Sequence, residues 1–185
     1  HLTATSNIGL GANAVDSITT GDYNVGLGDN AGTAITSGQR NVIVGVNAMD
    51  EATTGSDSVA VGYSAGHSVT TGIENTFIGY YAGAETTTAN YNIALGASAL
   101  ETNITGANNI AIGRAALNVN TASNNTAVGH AALLANTTAT GNSAVGAGAL
   151  SANTTGHSNT AMGHNAMRVN STGDENVALG WEALE

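Results

Sequence analysis

The chain has 185 residues and a net charge of −10, with three arginines, no lysine and 13 acidic residues. This balance disfavours binding to nucleic acid, whose phosphates need clustered cations, and direct contact with an anionic membrane. There is no Cys, which excludes a disulfide framework and a thiolate metal site, and no apolar run approaches the roughly 18 residues that span a bilayer. No signal peptide is recognisable, so we expect any export signal or anchor to lie outside this sequence.

A glycine-anchored repeat extends over the whole chain. Eleven glycines recur at intervals of 17 residues, except for one interval of 16 between Gly113 and Gly129. In chain order these anchor glycines are Gly11, Gly28, Gly45, Gly62, Gly79, Gly96, Gly113, Gly129, Gly146, Gly163 and Gly180. Self-similarity at a fixed period is typical of repeat architectures. We therefore predict a single array over residues 1–185, with no linker and no second domain.

Several positions recur with each anchor glycine. An Asn stands four residues before the glycine in ten of the eleven copies, with Ser58 as the exception. An aliphatic residue or Met directly precedes the glycine, Ala follows three residues after it in every copy, and Thr stands eight residues before it with Ser37 as the exception. The recurring asparagines are Asn7, Asn24, Asn41, Asn75, Asn92, Asn109, Asn125, Asn142, Asn159 and Asn176. They predict an internal ladder in which side-chain amides bond their neighbours or the backbone of a turn.

Each copy predicts a short β-strand that ends at its anchor glycine. In residues 109–113 (NIAIG), Ile110 and Ile112 would face one side of the strand and Ala111 the other. The residue at the Ala111 position is small in nine copies, which predicts the close approach of another backbone. We expect the glycine to supply a positive φ angle or backbone clearance at a bend.

The segment after each glycine is predicted to be a second strand. Ala116 and Leu117 are adjacent, so in an extended backbone they would face opposite ways and give each coil two apolar faces. A helix is disfavoured, because the repeat leaves room for only about two helical turns. The sequence thus predicts an all-β fold, a parallel β-roll or β-solenoid of about ten coils stacked about 4.8 Å apart. An apolar stripe along so thin a rod predicts that several rods pack side by side with rotational symmetry.

The repeat resembles the head repeats of YadA-type trimeric autotransporter adhesins. The closest instances are residues 142–149 (NSAVGAGA), 58–65 (SVAVGYSA) and 109–116 (NIAIGRAA), and the similarity covers essentially the whole chain. Related arrays occur in phage tail fibres. The resemblance implies a left-handed β-roll assembled as a homotrimer, an extracellular position on a cell surface, and adhesion to host matrix or other cell surfaces. The adhesin heads typically use a shorter repeat, and the stalk, neck and membrane-anchor segments are not in this sequence, so a virion tail fibre stays open.

The position directly after the anchor glycine varies most, which predicts that its side chain is exposed. Exposed aromatic residues are favoured anchors for proteins and sugars. The candidate ligand contacts are therefore Tyr63, Tyr80, Tyr81, His130, His164 and Trp181. Incidental surface aromatics are the alternative, and Trp181 in the last copy is also suited to cover a terminal coil.

No catalytic residues, metal ligands or cofactor site are predicted. Of the histidines, only His130 and His164 share a repeat position, and two coils would separate them by about 10 Å, too far to share a metal ion within one chain. Residues 26–32 (GLGDNAG) lack the Lys and the strand-to-helix context of a phosphate loop. Five Asn-x-Ser/Thr sequons are interpreted as products of the Asn-Thr-Thr turn, and they begin at Asn103, Asn124, Asn136, Asn153 and Asn170.

Three functions are compatible with this pattern. The favoured one is a non-enzymatic extracellular fibre or adhesin segment whose partners are its own copies and a host surface protein, matrix component or glycan. A phage tail-fibre shaft or receptor-binding segment is the alternative. An ice-binding β-solenoid is a third, since pairs such as Thr53-Thr54 and Thr70-Thr71 would form ladders at β-stack spacing. Hydroxyls that cap the local backbone explain these pairs as well.

Overall fold

A computed structural model describes residues 5–185 and contains eleven strands of three residues each, with no helix in that range. Each strand ends directly before its anchor glycine. The strands are β1 (Ile8–Leu10), β2 (Val25–Leu27), β3 (Val42–Val44), β4 (Val59–Val61), β5 (Thr76–Ile78), β6 (Ile93–Leu95), β7 (Ile110–Ile112), β8 (Thr126–Val128), β9 (Ser143–Val145), β10 (Thr160–Met162) and β11 (Val177–Leu179).

The strands form one parallel sheet in sequence order, from β1 to β11. The register pairs each residue with its equivalent in the next coil, for example Val42 with Val59. The shorter interval preserves this register, since Ile110 pairs with Thr126. Each circuit of the chain therefore places one strand beside the last, and the predicted all-β solenoid of about ten coils is confirmed.

The two faces of the sheet have different environments. The middle residue of each strand points into the coil, and Ala111 in β7 is completely buried. Its neighbours Ile110 and Ile112 point outward and keep solvent exposure. The alternation predicted from the sequence is confirmed, and the small residues in the middle of the strands line a narrow interior.

The segment after the glycine is not a second strand, so that prediction is wrong. Ala115 and Leu117 adopt left-handed φ angles of 57° and 50°, and the backbone therefore turns instead of extending. As a result Ala116 and Leu117 do not face opposite ways, and both are completely buried inside a single chain. Each coil has one interior, and the second apolar face expected from this segment does not exist.

The recurring asparagines lie inside the coils and bond from one coil to the next. The Nδ2 of Asn142 donates to the Gly156 carbonyl oxygen at 2.8 Å, and its Oδ1 accepts the backbone N–H of Asn159 at 2.9 Å. Asn92 makes the same bonds to Gly106 and Asn109. These amides are completely buried, and their hydrogen bonds offset the cost of removing them from water.

A second buried asparagine column, which sequence reasoning missed, occupies the C-terminal half. The Nδ2 of Asn153 donates to Asn136 Oδ1 at 3.0 Å and to the Gly156 carbonyl oxygen at 3.0 Å. The column comprises Asn103, Asn120, Asn136, Asn153 and Asn170, and the same position in the first half holds Ile18, Ile35, Ala52, Val69 and Thr86. The interior therefore changes from aliphatic to amide along the rod. The signal was present as an Asn that recurs at the interval of the anchor glycines, seven residues after each of five of them.

The anchor glycines allow successive coils to stack closely. Gly45 has a φ of 139°, and a Cβ atom added there would lie 2.3 Å from the Gly62 carbonyl oxygen of the next coil. The expected positive φ and backbone clearance are both confirmed at this bend.

Candidate functional site

The outward face of the sheet is an apolar stripe without a charged residue. It consists of the first and third residues of every strand, and none of these 22 side chains is buried. All are aliphatic or Met except Thr76, Thr126, Ser143 and Thr160. In the middle of the rod, Leu95 is 41% exposed although it sits in the sheet.

The dimensions of the apolar stripe distinguish it from scattered surface leucines. Eleven strands spaced about 4.8 Å apart give a length of about 50 Å, and three residues give a width of about 10 Å. The resulting area of roughly 500 Å² lies at the upper end of the contiguous patches that monomeric proteins expose. Such a surface is typical of an interface.

The variable position after the anchor glycine lies at the carboxyl ends of the strands, and we call this long side of the sheet its exposed edge. The side chains at this position are exposed or half-exposed in every coil. The backbone leaves the interior there, because the anchor glycine turns the chain directly after the strand. Five of the six candidate contacts occupy this position and Tyr81 directly follows one of them, and the structure gathers the six into three separate groups.

The first group is an aromatic cluster formed by Tyr63, Tyr80 and Tyr81, which we call the tyrosine patch. The rings of Tyr63 and Tyr80 stack with centroids 5.7 Å apart and planes inclined by 19°. Tyr81 meets Tyr80 edge to face at 4.6 Å and lies 5.6 Å from Tyr63. Adjacent coils thus place three of the five tyrosines of the chain in one contact group.

The phenol groups of the tyrosine patch also come together. Burial raises the pKa of the Tyr81 phenol, and the neighbouring phenols of Tyr63 and Tyr80 raise it further, while a hydrogen bond with Ser64 opposes this effect. The patch therefore combines flat apolar rings with adjacent phenol hydroxyls.

The second and third groups lie nearer the C-terminus. His164 and Trp181 have ring centroids 5.4 Å apart, and the Trp181 side chain is largely exposed. His130 lies with Nε2 3.3 Å from Nη1 of Arg114. Because Ala147 occupies the coil between them, His130 and His164 belong to different groups and do not form one site.

One further histidine contacts carboxylates. Nδ1 of His67 lies 3.1 Å from Asp50 Oδ1 and 3.8 Å from Glu51 Oε1. Burial raises the pKa of the Asp50 carboxyl, and the attraction of His67 opposes that rise. Within residues 5–185, no group of three or more His, Asp or Glu side chains is placed to hold a metal ion. The same range holds no helix long and apolar enough to cross a bilayer.

Three of the five sequon asparagines are inaccessible. Asn103, Asn136 and Asn153 are completely buried in the second asparagine column, where their amides already donate hydrogen bonds. Their role is therefore structural, in agreement with the interpretation of these sequons as part of the repeat.

The first Thr of each pair uses its hydroxyl within the stack. The hydroxyl of Thr53 donates to the Thr70 carbonyl oxygen at 3.2 Å, and Thr70 donates to Thr87 at 3.2 Å. Thr54 and Thr71, the second members of these pairs, are exposed. The hydroxyls of the first Thr column are therefore bonded to the backbone of the next coil.

Comparisons with family models, with curated proteins and with solved structures find no match to this chain.

Proposed function

We propose that the chain is a non-enzymatic segment of an extracellular fibre or adhesin. Three copies pack through the apolar stripe, and the exposed edge of each sheet attaches to host or cell-surface ligands. The observation that carries the proposal is the uncharged apolar stripe, which continues over all eleven strands of one sheet.

Burial of the stripe supplies the driving force for association. Apolar surface removed from water contributes about 25 cal/mol per Å². A stripe of roughly 500 Å² on each chain supplies the larger part of the roughly 800 Å² per partner of a standard stable interface. No charged side chain within the stripe must lose its hydration, so association carries little electrostatic cost.

The number three and the left-handed coil rest on the resemblance to the adhesin head repeats. A closed rotational arrangement supports the proposal, because three sheets that face one axis cover every stripe at once. The same trimer fits either location in which these repeats occur, a bacterial surface or a phage tail.

The proposed attachment depends on the trimer presenting the same exposed side chains several times. A trimer presents each edge cluster three times, and linked copies bind a surface with greater avidity than one copy alone. This explains how a chain with few aromatic residues could hold a surface through individually weak contacts.

The native mass in solution tests the assembly. Light scattering should give about three times the 18.2 kDa chain mass. Leu95→Asp places a carboxylate in the middle of the stripe and should lower the mass to that of one chain. Thr88→Asp is the matched control, because Thr88 is exposed outside the stripe and its replacement should leave the trimer intact. A monomeric parent chain would overturn the assembly.

Attachment is tested separately with the intact chain. The fluorescently labelled protein should bind to cultured host cells or bacterial cells, and Leu95→Asp should reduce this binding with the loss of avidity. Equal binding by the trimer and by a monomeric Leu95→Asp variant would contradict attachment by avidity. A trimer that binds neither cell type would identify the chain as a passive shaft.

A further inference from the structure

The tyrosine patch differs from the rest of the surface in both composition and geometry. Aromatic residues make up 4% of the chain, yet three of them are in mutual contact at one edge of β4 and β5. The side chains of Tyr63 and Tyr80 remain 44% and 58% exposed in spite of stacking on each other. Ring contacts alone therefore leave much of the patch uncovered.

The next coil leaves the patch open. The position equivalent to Tyr80 is Ala97 there, and a methyl group is too small to cover a phenol ring. In the preceding coil the position is Val46, which is itself exposed and continues the apolar surface. The patch is thus an open apolar shelf about three coils long, bounded by small or aliphatic side chains.

Charge is absent from this shelf. The two columns that form it contain only neutral residues over four coils, namely Val46, Asn47, Tyr63, Ser64, Tyr80, Tyr81, Ala97 and Ser98. The chain as a whole carries a net charge of −10. Phosphorylated, sulfated or sialylated ligands would be repelled by this charge and would find no cation in the shelf to bind them.

We propose that the tyrosine patch is a binding site for the pyranose ring of a neutral glycan. A neutral sugar presents an apolar C–H face that packs on aromatic rings and a rim of hydroxyls that exchange hydrogen bonds with phenols. The patch offers both, since the ring centroids of its three tyrosines lie 4.6–5.7 Å from one another and each ring carries a phenol hydroxyl. This inference rests on the proposed attachment function and specifies its ligand class.

The test uses the intact assembled chain and three defined probes: methyl β-D-galactopyranoside, methyl α-D-mannopyranoside and triacetylchitotriose. Saturation-transfer NMR should detect binding of at least one probe at millimolar concentration, with the strongest transfer to its ring protons. The same probe should perturb tyrosine ring signals and leave those of Trp181 unchanged. An α2,3-sialyllactose probe should bind more weakly than the neutral sugars.

Variants assign the binding to the patch. Tyr80→Ala should weaken binding of the probe by about tenfold, whereas Tyr80→Phe should retain it within about threefold because the ring remains. Alanine is acceptable at this position, since Ala97 and Ala147 occupy it in other coils. Tyr91→Ala is the matched control, because Tyr91 is an exposed tyrosine in a different column, and binding should not change.

Each other outcome overturns the inference. Failure of all three neutral probes to bind, equal losses in Tyr80→Ala and Tyr91→Ala, or preference for the sialylated probe would each do so. A fall in native mass in Tyr80→Ala would instead assign the patch to contacts between chains. If the chain attaches to cells and the probes neither bind nor compete, the glycan inference fails while the attachment function stands. If the parent chain is monomeric and does not attach to cells, the proposed function itself is overturned.

Discussion

The ring of Phe77 occupies the volume that Gly83 leaves empty. A Cβ atom added to Gly83 would lie 2.4 Å from Phe77 Cδ1, and one added to Gly66 in the preceding coil would lie 2.7 Å from Phe77 Cδ2. In most other coils the two positions hold the opposite combination, such as Ala94 in the strand and Leu100 after it. From β6 onward, a small strand residue is thus matched by Leu or Met after the glycine. Ile43 and Met49 are both large, and the coils on either side of them are small at both positions, so volume is also shared between neighbouring coils.

A small residue at position 77 combined with a large one at position 83 should restore stability that each single substitution removes. Phe77→Ala leaves a cavity and should cost about 3–5 kcal/mol of unfolding free energy. Gly83→Leu adds a side chain where the ring already lies, so overpacking should cost at least about 1–3 kcal/mol. The double variant reproduces the Ala94 and Leu100 combination and should be more stable than either single variant. Urea unfolding at one fixed chain concentration measures all three.

The backbone angle at this position does not prevent the exchange. Gly83 has a φ of 59° and Leu100 a φ of 54°, so the coil already accommodates Leu in that conformation. Additive losses in the double variant would show that the two positions do not share one volume.

Ser58→Asn should stabilise the chain by about 1 kcal/mol, because Ser58 interrupts an otherwise continuous asparagine ladder. Ser58 accepts the backbone N–H of Asn75 but directs its own hydroxyl to the Ser56 carbonyl oxygen. In the preceding coil, Asn41 reaches across to the Gly55 carbonyl oxygen at 2.9 Å. The introduced amide should make the equivalent bond to Gly72, and thermal unfolding would detect the gain.

The reverse substitution provides the control. Asn92→Ser removes the bond from Asn92 to the Gly106 carbonyl oxygen and should lower the melting temperature. An unchanged melting temperature for both variants would mean that the amide bonds are replaced by water at no cost.

Thr86→Val should increase stability by about 1–2 kcal/mol. Thr86 stands where the interior changes from aliphatic to amide, and its buried hydroxyl has no hydrogen-bond partner. Valine has nearly the same shape and already occupies this column as Val69. Thr86→Ser, which keeps the hydroxyl and loses the methyl group, should be less stable than the parent. A loss of stability in Thr86→Val would indicate that the hydroxyl is bonded in solution.

The stability effect of Asp50→Asn should depend on pH. Burial raises the pKa of the Asp50 carboxyl above its ordinary value of 3.8, so the ionised form costs stability at pH values above that raised pKa. The substitution should therefore stabilise the chain at pH 7. The gain should shrink as the pH falls through the raised pKa and vanish below 3.8, where Asp50 is protonated in both the folded and unfolded states.

NMR titration of the Asp50 carboxyl checks the cause directly. Its pKa should exceed 3.8 in the parent and rise further in His67→Gln, because His67 contributes the opposing attraction, whereas Glu51 adds repulsion. A pKa at or below the ordinary value would show that the contact with His67 outweighs burial.

The repeat made the stacking predictable from the sequence. The 17-residue period with its single interval of 16, the glycine after each strand and the alternation in segments such as residues 109–113 together predicted the strands and their order. These features were readable because each reflects a local requirement that recurs in every coil.

The path of the second segment was not predictable in the same way. Leucine and methionine rarely adopt left-handed φ angles, yet Leu100, Leu117 and Met49 do so here, at 54°, 50° and 42°. The packing of neighbouring coils overrides the local preference of these residues, and a single repeat contains no sign of it. The tyrosine patch was predictable as three exposed residues, but their mutual contact depends on how that same turn orients Tyr81 beside Tyr80.

In the parallel register, each strand bonds only to the strands directly before and after it. This arrangement determines how the number of repeats can change. Insertion or loss of one whole repeat, for example between β8 and β9, would leave every remaining neighbour contact of the same kind. Gain or loss of whole repeats would then change the length of the rod in equal increments of about 4.8 Å. Related chains would then differ in the length of the rod while its first and last coils stay the same.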